Sequence, residues 1–270
     1  AGEVNCIYIS HLMLDQKLFN DKVEVNIGKL DLLDFFDTNE VDDWNIIPYS
    51  LARNPSIPAP YHVLGARGRV DPCEWLYLQA GIADAGGRAS ETGFNTAFDD
   101  DEPYFSIGEV GFKPKFLDRP GTYRFMVWHN SGDIAHFDGS GTKGGDTGFA
   151  LSFDQQVSDR LGLSLRYGWS DPEVRRINHY ISVGMSLNEP LPGRNHDVLG
   201  ASLAEILVSD DYRDSNPGIE STATQVDLYY KIEMAPWITV TPDVQVILNP
   251  DQDTSKDFAV IAGVYVEMRF

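Results

Sequence analysis

Charged side chains recur on one face of several segments in which apolar and polar residues alternate. The arginines and carboxylates on this face are Arg67, Arg69, Arg124, Arg166, Glu109, Asp154, Asp227 and Glu233. A guanidinium offers planar N–H donors and a carboxylate accepts them. Such a face can bind an uncharged polar solute, or it can form a ladder of ion pairs that holds a wall together. For any single position the pattern favours the ion-pair ladder.

The residue types that carry most catalytic and metal chemistry are present without the required spacing. Six histidines are scattered along the chain, no Gly-x-Ser-x-Gly turn occurs, and the two acidic runs do not match a calcium loop. Cys6 and Cys73 are either one disulfide or two thiols, and they match no zinc motif. We therefore predict no enzyme activity, no cofactor and no metal site.

Length, charge and hydropathy exclude several classes of protein. The chain has 270 residues and a formal net charge of −20, which disfavours nucleic-acid binding. No apolar run approaches the ~18 residues of a membrane helix. A transmembrane barrel remains open, because its strands alternate apolar and polar residues and average out in a hydropathy sum.

Alternation with a period of two runs from end to end and predicts an all-β chain. We count about thirteen segments, beginning near residues 3, 22, 60, 74, 103, 121, 146, 161, 176, 197, 222, 237 and 258. Short turns alternate with longer connections such as 34–60, 84–103 and 131–146. Alternating connections are typical of an antiparallel up-and-down barrel in a membrane, whose apolar face meets lipid and whose polar face lines water.

The strand count and the chain ends lead to two further expectations. Because bacterial single-chain barrels have even strand numbers, an odd count predicts that N-terminal strands are missing from a single barrel domain over 1–270. An aromatic last residue on an alternating strand, Phe270, resembles the signal read by the outer-membrane assembly machinery.

Several motifs in register resemble the carbohydrate-selective porins of the OprB family. They are Gly28-Lys29-Leu30-Asp31-Leu32-Leu33-Asp34-Phe35-Phe36-Asp37, Trp75-Leu76-Tyr77-Leu78-Gln79-Ala80-Gly81, Glu91-Thr92-Gly93-Phe94-Asn95, Asp146-Thr147-Gly148-Phe149, Asp210-Asp211-Tyr212-Arg213 and Pro236-Trp237. The resemblance implies a sixteen-stranded barrel in the bacterial outer membrane that admits sugars such as glucose by passive diffusion. The implied partners are small neutral saccharides, outer-membrane lipid and lipopolysaccharide, and the assembly machinery through Phe270, with a homo-oligomer left open and nucleic acid excluded. The alternatives are a general diffusion porin and a non-conducting glycan-binding barrel.

Pore-lining candidates come from the long segment 34–60 and from polar strand faces. A long loop folded into a wide barrel narrows its pore, and this loop carries Asp34, Asp37, Glu40, Trp44 and Arg53. The alternative is a solvated extracellular loop whose charges face water. Trp44 and the strand residues Tyr77, Trp128 and Tyr229 are candidates to stack on a sugar ring. Among these, Trp128 shares a face with Arg124 and is the strongest stacking candidate.

Overall fold

A computed structural model describes residues 7–41, 53–94, 96–97 and 102–269, and it shows one antiparallel β-sheet of fourteen strands. The strands are β1 Leu12–Leu18, β2 Val23–Leu30, β3 Val63–Cys73, β4 Leu76–Asp84, β5 Tyr104–Phe112, β6 Lys115–Phe116, β7 Arg119–Ala135, β8 Thr142–Gln156, β9 Leu161–Trp169, β10 Ile177–Asn188, β11 Val198–Val208, β12 Thr222–Ala235, β13 Ile238–Leu248 and β14 Phe258–Met268. Short 3₁₀ helices cover Leu32–Asp34 and Pro250–Gln252, and one α-helix, α1, covers Asp210–Ser215. None of the helices in these ranges is long and apolar enough to cross a bilayer.

The strands follow one another around the sheet in chain order, which confirms the predicted up-and-down topology. Every strand pairs with the next one, except that the two-residue β6 pairs only with β7 and β5 pairs directly with β7. The main path therefore has thirteen strands, close to the predicted number. In the part of the chain that the structure describes, β1 and β14 form the two edges of this sheet.

One predicted connection is wrong, and strand pairing explains it. The predicted start of a strand near residue 3 lies outside the described residues, and β1 pairs with β2 from Leu12–Lys29 to Leu18–Val23. The connection predicted over 131–146 shrinks to 136–141, because β7 and β8 continue to pair from Asp133–Gly144 to Ala135–Thr142 beyond a bulge. That extension is mostly polar, and its apolar residues Ile134 and Ala135 are adjacent and do not alternate with polar ones, so the hydropathy pattern gave no sign of it.

The two faces of the sheet are inverted relative to those of a soluble barrel. Apolar residues such as Ile27, Leu163 and Val264 are 53%, 42% and 67% exposed on the outer face. The inner face carries buried charged residues, among them Arg67 and Arg124. This arrangement is the one expected of strands that present apolar residues to lipid and polar residues to an interior, and it confirms the predicted orientation.

Aromatic rings on the inner face cover glycines on the neighbouring strand. A Cβ atom at Gly111 would lie 2.1 Å from the ring of Tyr77, and one at Gly200 would lie 2.0 Å from the ring of Tyr229. In each case the ring and the glycine are direct partners across two strands. A glycine covered by a cross-strand aromatic ring fixes register and local packing, so both tyrosines have a structural role in the wall.

The connection after β4 folds back over the outer face near the rim. Lys29 lies on that face, and its Nζ donates to the carbonyl oxygens of Ala89 and Glu91 at 2.7 and 2.6 Å. Asp84 accepts a hydrogen bond from Thr96 Oγ1 at 2.5 Å. The loop thus supplies polar partners to two charged residues that would otherwise face lipid.

Candidate pore constriction

The segment that follows β2 folds into the interior of the sheet because its sequence places apolar residues on both sides of a tight turn. The 3₁₀ helix Leu32–Asp34 is capped by Asp31, whose Oδ1 accepts a hydrogen bond from the backbone N–H of Leu33 at 2.9 Å. Leu32 and Phe36 are both 0% exposed. They pack in an apolar cluster with wall residues, which are Leu30, Val63, Ala83, Phe105, Ile107, Met126, Trp128 and Ala150. We call residues 31–41 and 53–57 the constriction loop.

Arg53 joins the two ends of the constriction loop. Its two terminal nitrogens donate to Asp31 Oδ2 at 2.7 Å and Asp34 Oδ1 at 2.6 Å. The other carboxylate oxygen of Asp34 lies 2.8 Å from His11 Nε2. These contacts therefore hold the two described parts of the loop together and connect the loop to the segment that precedes β1.

A buried pair fastens the middle of the loop to the wall. Asp37 Oδ1 lies 3.4 Å from Arg166 Nε on β9, and both side chains are at most 2% exposed. The other oxygen, Oδ2, accepts the backbone N–H of Asn54 at 2.7 Å, and Asn54 itself donates to the carbonyl oxygen of Tyr167 at 3.0 Å. Burial raises the pKa of Asp37 to about 6, because the loss of hydration outweighs the attraction of Arg166.

Beneath the loop, hydrogen bonds run along the wall from β2 to β5. Arg67 donates to Asn26 Oδ1 at 2.9 Å, to Glu24 Oε2 at 3.0 Å and to Gln79 Oε1 at 2.8 Å. Gln79 donates in turn to Glu109 Oε1 at 2.8 Å, which also accepts Tyr77 Oη at 2.6 Å. Most of these donors and acceptors pair with one another, although Glu109 Oε2 accepts no hydrogen bond from the described residues, and together they form a ladder of polar contacts along this part of the wall.

Arg124 continues the ladder onto β8 and reaches the loop. It donates to Asp154 Oδ2 at 2.5 Å, and its other terminal nitrogen lies 3.9 Å from Glu40 Oε1. The Glu40 side chain is 78% exposed, whereas that of Arg124 is 3% exposed. Arg69 pairs with Asp71 at 2.6 Å and lies 3.9 Å above the ring of Tyr77.

Trp128 does not share an open surface with Arg124. It is 1% exposed, stacks on Phe105 with ring centroids 6.1 Å apart, and belongs to the apolar cluster beneath the constriction loop. The alternation identified its face correctly but could not show that the loop covers that face. In this conformation the indole ring anchors the loop and is not open to a solute.

The remaining predicted residues lie away from the loop or outside the described chain. Asp227 and Tyr229 are on β12, where Tyr229 packs in a second cluster with Tyr180. Asp227 is 0% exposed, and its carboxylate oxygens accept no hydrogen bond from the described residues. Trp44 and Phe270 lie outside the described residues.

A cavity of about 510 Å³ lies between the constriction loop and its neighbours. It is lined by His11, Asp31, Leu33, Asp34, Asp37, Thr38, Asn39, Arg53, His62 and Arg166. Burial lowers the pKa of His62, so its imidazole is neutral at pH 7. The lining combines carboxylate, guanidinium, amide and hydroxyl groups, which suits a solute with many hydroxyl groups.

Sequence reasoning named Asp34, Asp37, Arg53 and Arg166 but missed the groups that hold them. Asp31, Asn54 and His11 supply three of the contacts described above. Asp31 stands before an apolar pair and could have been recognised as a helix cap. Nothing in the local pattern around His11 or Asn54 points to the residues they meet.

The family match covers residues 2–270 and is to the carbohydrate-selective porins of the OprB family. The chain belongs to that family. As a porin of this family, it forms part of an outer-membrane β-barrel. Porin AaxA of Chlamydia abortus is 22% identical over 258 residues, which are 95% of this chain and 56% of that protein. Porin B of Pseudomonas aeruginosa is 24% identical over 188 residues, which are 56% of this chain and 41% of that protein.

Solved structures agree on the fold of this porin. OprB of Pseudomonas putida in its high-pH form superposes with a TM-score of 0.80 at 19% identity, covering 97% of this chain and 73% of that one. The channel DcaP of Acinetobacter baumannii gives 0.61 at 12% identity, covering 91% and 71%. The porin chain spans a little over half the length of the AaxA relatives that it matches.

Proposed function

We propose that this porin carries sugars such as glucose across the outer membrane by passive, carbohydrate-selective diffusion. The observation that carries the proposal is the constriction loop, which is fixed inside the barrel wall by an apolar cluster and by the Arg166–Asp37 and Arg53–Asp34 contacts. A loop held in this way narrows the pathway to a defined size.

The chemistry around the loop supports a neutral polyol as the solute. The cavity beside it offers both donors and acceptors, so the hydroxyl groups of a sugar can exchange hydration for protein contacts. The description of the family as carbohydrate-selective porins supports the same class of solute. We further propose contacts with outer-membrane lipid and lipopolysaccharide along the apolar face, and recognition of Phe270 by the assembly machinery.

The test compares two solutes of similar size in liposomes that contain protein extracted from outer membranes. Glucose should swell the liposomes faster than a neutral amino acid of similar size does. Equal rates would favour a general diffusion porin. Conductance in a planar bilayer separates both channels from a barrel that binds glycans without conducting.

A further inference from the structure

The described lining of the constriction cavity carries more carboxylates than cations. Asp31, Asp34 and Asp37 face two guanidiniums, those of Arg53 and Arg166. Three negative and two positive groups leave a balance of −1, and the imidazole of His11 lies on the same lining, 2.8 Å from Asp34 Oδ2. The neutral imidazole of His62 adds no charge at pH 7.

The guanidinium of Arg53 is already hydrogen-bonded to carboxylates of the loop. One terminal nitrogen donates to Asp31 and the other to Asp34, and the Arg53 side chain is only 15% exposed. Arg166 is 2% exposed and faces Asp37. An anionic solute would have to displace these ion pairs. In a partly desolvated site, the free energy needed to break them exceeds the free energy gained from the new contacts.

The oxygens of Asp31 and Asp34 are all engaged by Arg53, Leu33 and His11, whereas two other carboxylates beside the cavity are less fully engaged. Asp37 lines the cavity, its side chain is 1% exposed, and its Oδ1 accepts no hydrogen bond from the described residues, with Arg166 Nε at 3.4 Å as its nearest cation. Glu40 follows the lining residue Asn39 and is 78% exposed, with Arg124 at 3.9 Å. Adding Glu40 together with its neighbour Arg124 leaves the balance at −1.

We infer that the constriction cavity is a binding site for sugars that carry a protonated amine, with Asp37 in the lining and Glu40 beside it as the groups that favour amino sugars over neutral sugars and disfavour sugar acids. An ammonium group supplies three donors and one positive charge, and it matches the surplus of acceptors and negative charge. This inference rests on the proposed function, because it takes the cavity to lie on the sugar pathway.

The experiment measures initial uptake of radiolabelled glucosamine, glucose and glucuronate into proteoliposomes at about pH 7, where most of the amine is protonated. These three solutes share one ring size and differ in charge. Potassium with valinomycin holds the membrane potential at zero. We expect glucosamine to enter fastest and glucuronate slowest, with the differences shrinking as salt screens the charges.

Glu40→Gln should lower the glucosamine-to-glucose ratio about fourfold, which is the Boltzmann factor for one unit charge about 5 Å away in a water-like medium. Asp118→Asn is the matched control. Asp118 is an exposed residue in the short turn before β7, and its φ of 61° is tolerated by asparagine. The control should leave the ratio unchanged.

The outcomes separate this inference from the proposed function. Uptake of glucose without any preference for glucosamine would overturn the inference alone. Equal effects of Glu40→Gln and Asp118→Asn would also overturn it, since only overall charge would then matter. Uptake of none of the three solutes would overturn the proposed function and the inference together.

Discussion

Replacing Phe36 by alanine should release the constriction loop without disturbing the sheet. Phe36 is 0% exposed and packs with Leu32 against the wall, where Cε2 of its ring lies 3.0 Å from the place a Cβ atom would take on Gly81. Removing a buried phenylalanine ring costs about 3 to 5 kcal/mol. At about 1.4 kcal/mol per factor of ten, the released state of the loop should gain at least two orders of magnitude in population.

Single-channel recording detects the increased population of the released loop. The Phe36→Ala channel should show higher conductance, more open-channel noise and a larger solute cut-off in liposome swelling. Its yield of folded barrel should remain normal, because the ring contributes nothing to strand pairing. Phe116→Ala, at a residue that is 61% exposed, is the control and should leave conductance unchanged.

A second variant, at a wall residue, tests the docking of the same loop. A methyl group on Gly81 would lie 2.7 Å from Leu32 Cδ2, so Gly81→Ala should also push the loop away and raise conductance. The reasoning would be refuted if correctly assembled Phe36→Ala and Gly81→Ala barrels kept the conductance and solute cut-off of the parent protein.

Three further predictions concern pH, orientation and assembly. The pKa of Asp37 is about 6 in the docked loop against an ordinary value of 3.8. Protonation of Asp37 therefore stabilises the docked loop by about 3 kcal/mol at acid pH, and this stabilisation is lost as pH rises through about 6. Open-channel noise should therefore fall on acidification, and Asp37→Asn should remove this pH dependence; noise that instead rises on acidification would contradict the assignment. Leu163→Arg or Val264→Arg should destabilise the folded barrel by about 2 to 4 kcal/mol near the bilayer midplane, measured by urea titration in lipid, and full tolerance of the charge would contradict the lipid-facing assignment. Deleting Phe270 should lower the amount of assembled barrel, seen as unassembled protein in cell fractions, more than it changes flux for each assembled barrel.

The positions of most strands could be predicted because each strand alternates in a way that the sequence displays locally. β9, β12 and β14 begin at Leu161, Thr222 and Phe258, where the alternation placed them. The pattern failed where pairing continued without alternation of apolar and polar residues, as in the extension of β7 and β8. Hydrogen bonds between strands do not require hydrophobic side chains, so that extension leaves no trace in hydropathy.

The candidate site could likewise be predicted only in part. Alternation assigned Arg67, Arg124 and Trp128 to the inner face, and the structure agrees. It could not distinguish a residue that faces water from one covered by a loop, and Trp128 proved to be covered.

The sequence by itself therefore determined the fold class, the order of the strands and the face on which each strand residue lies, because a period of two is a property of neighbouring residues. Only the tertiary structure decided which inner-face residues meet the loop. Arg166 and Asp37 are 129 residues apart and Asn54 is 113 residues from Tyr167. Contacts between such distant residues depend on the path of a loop inside the barrel, and no local periodicity records that path.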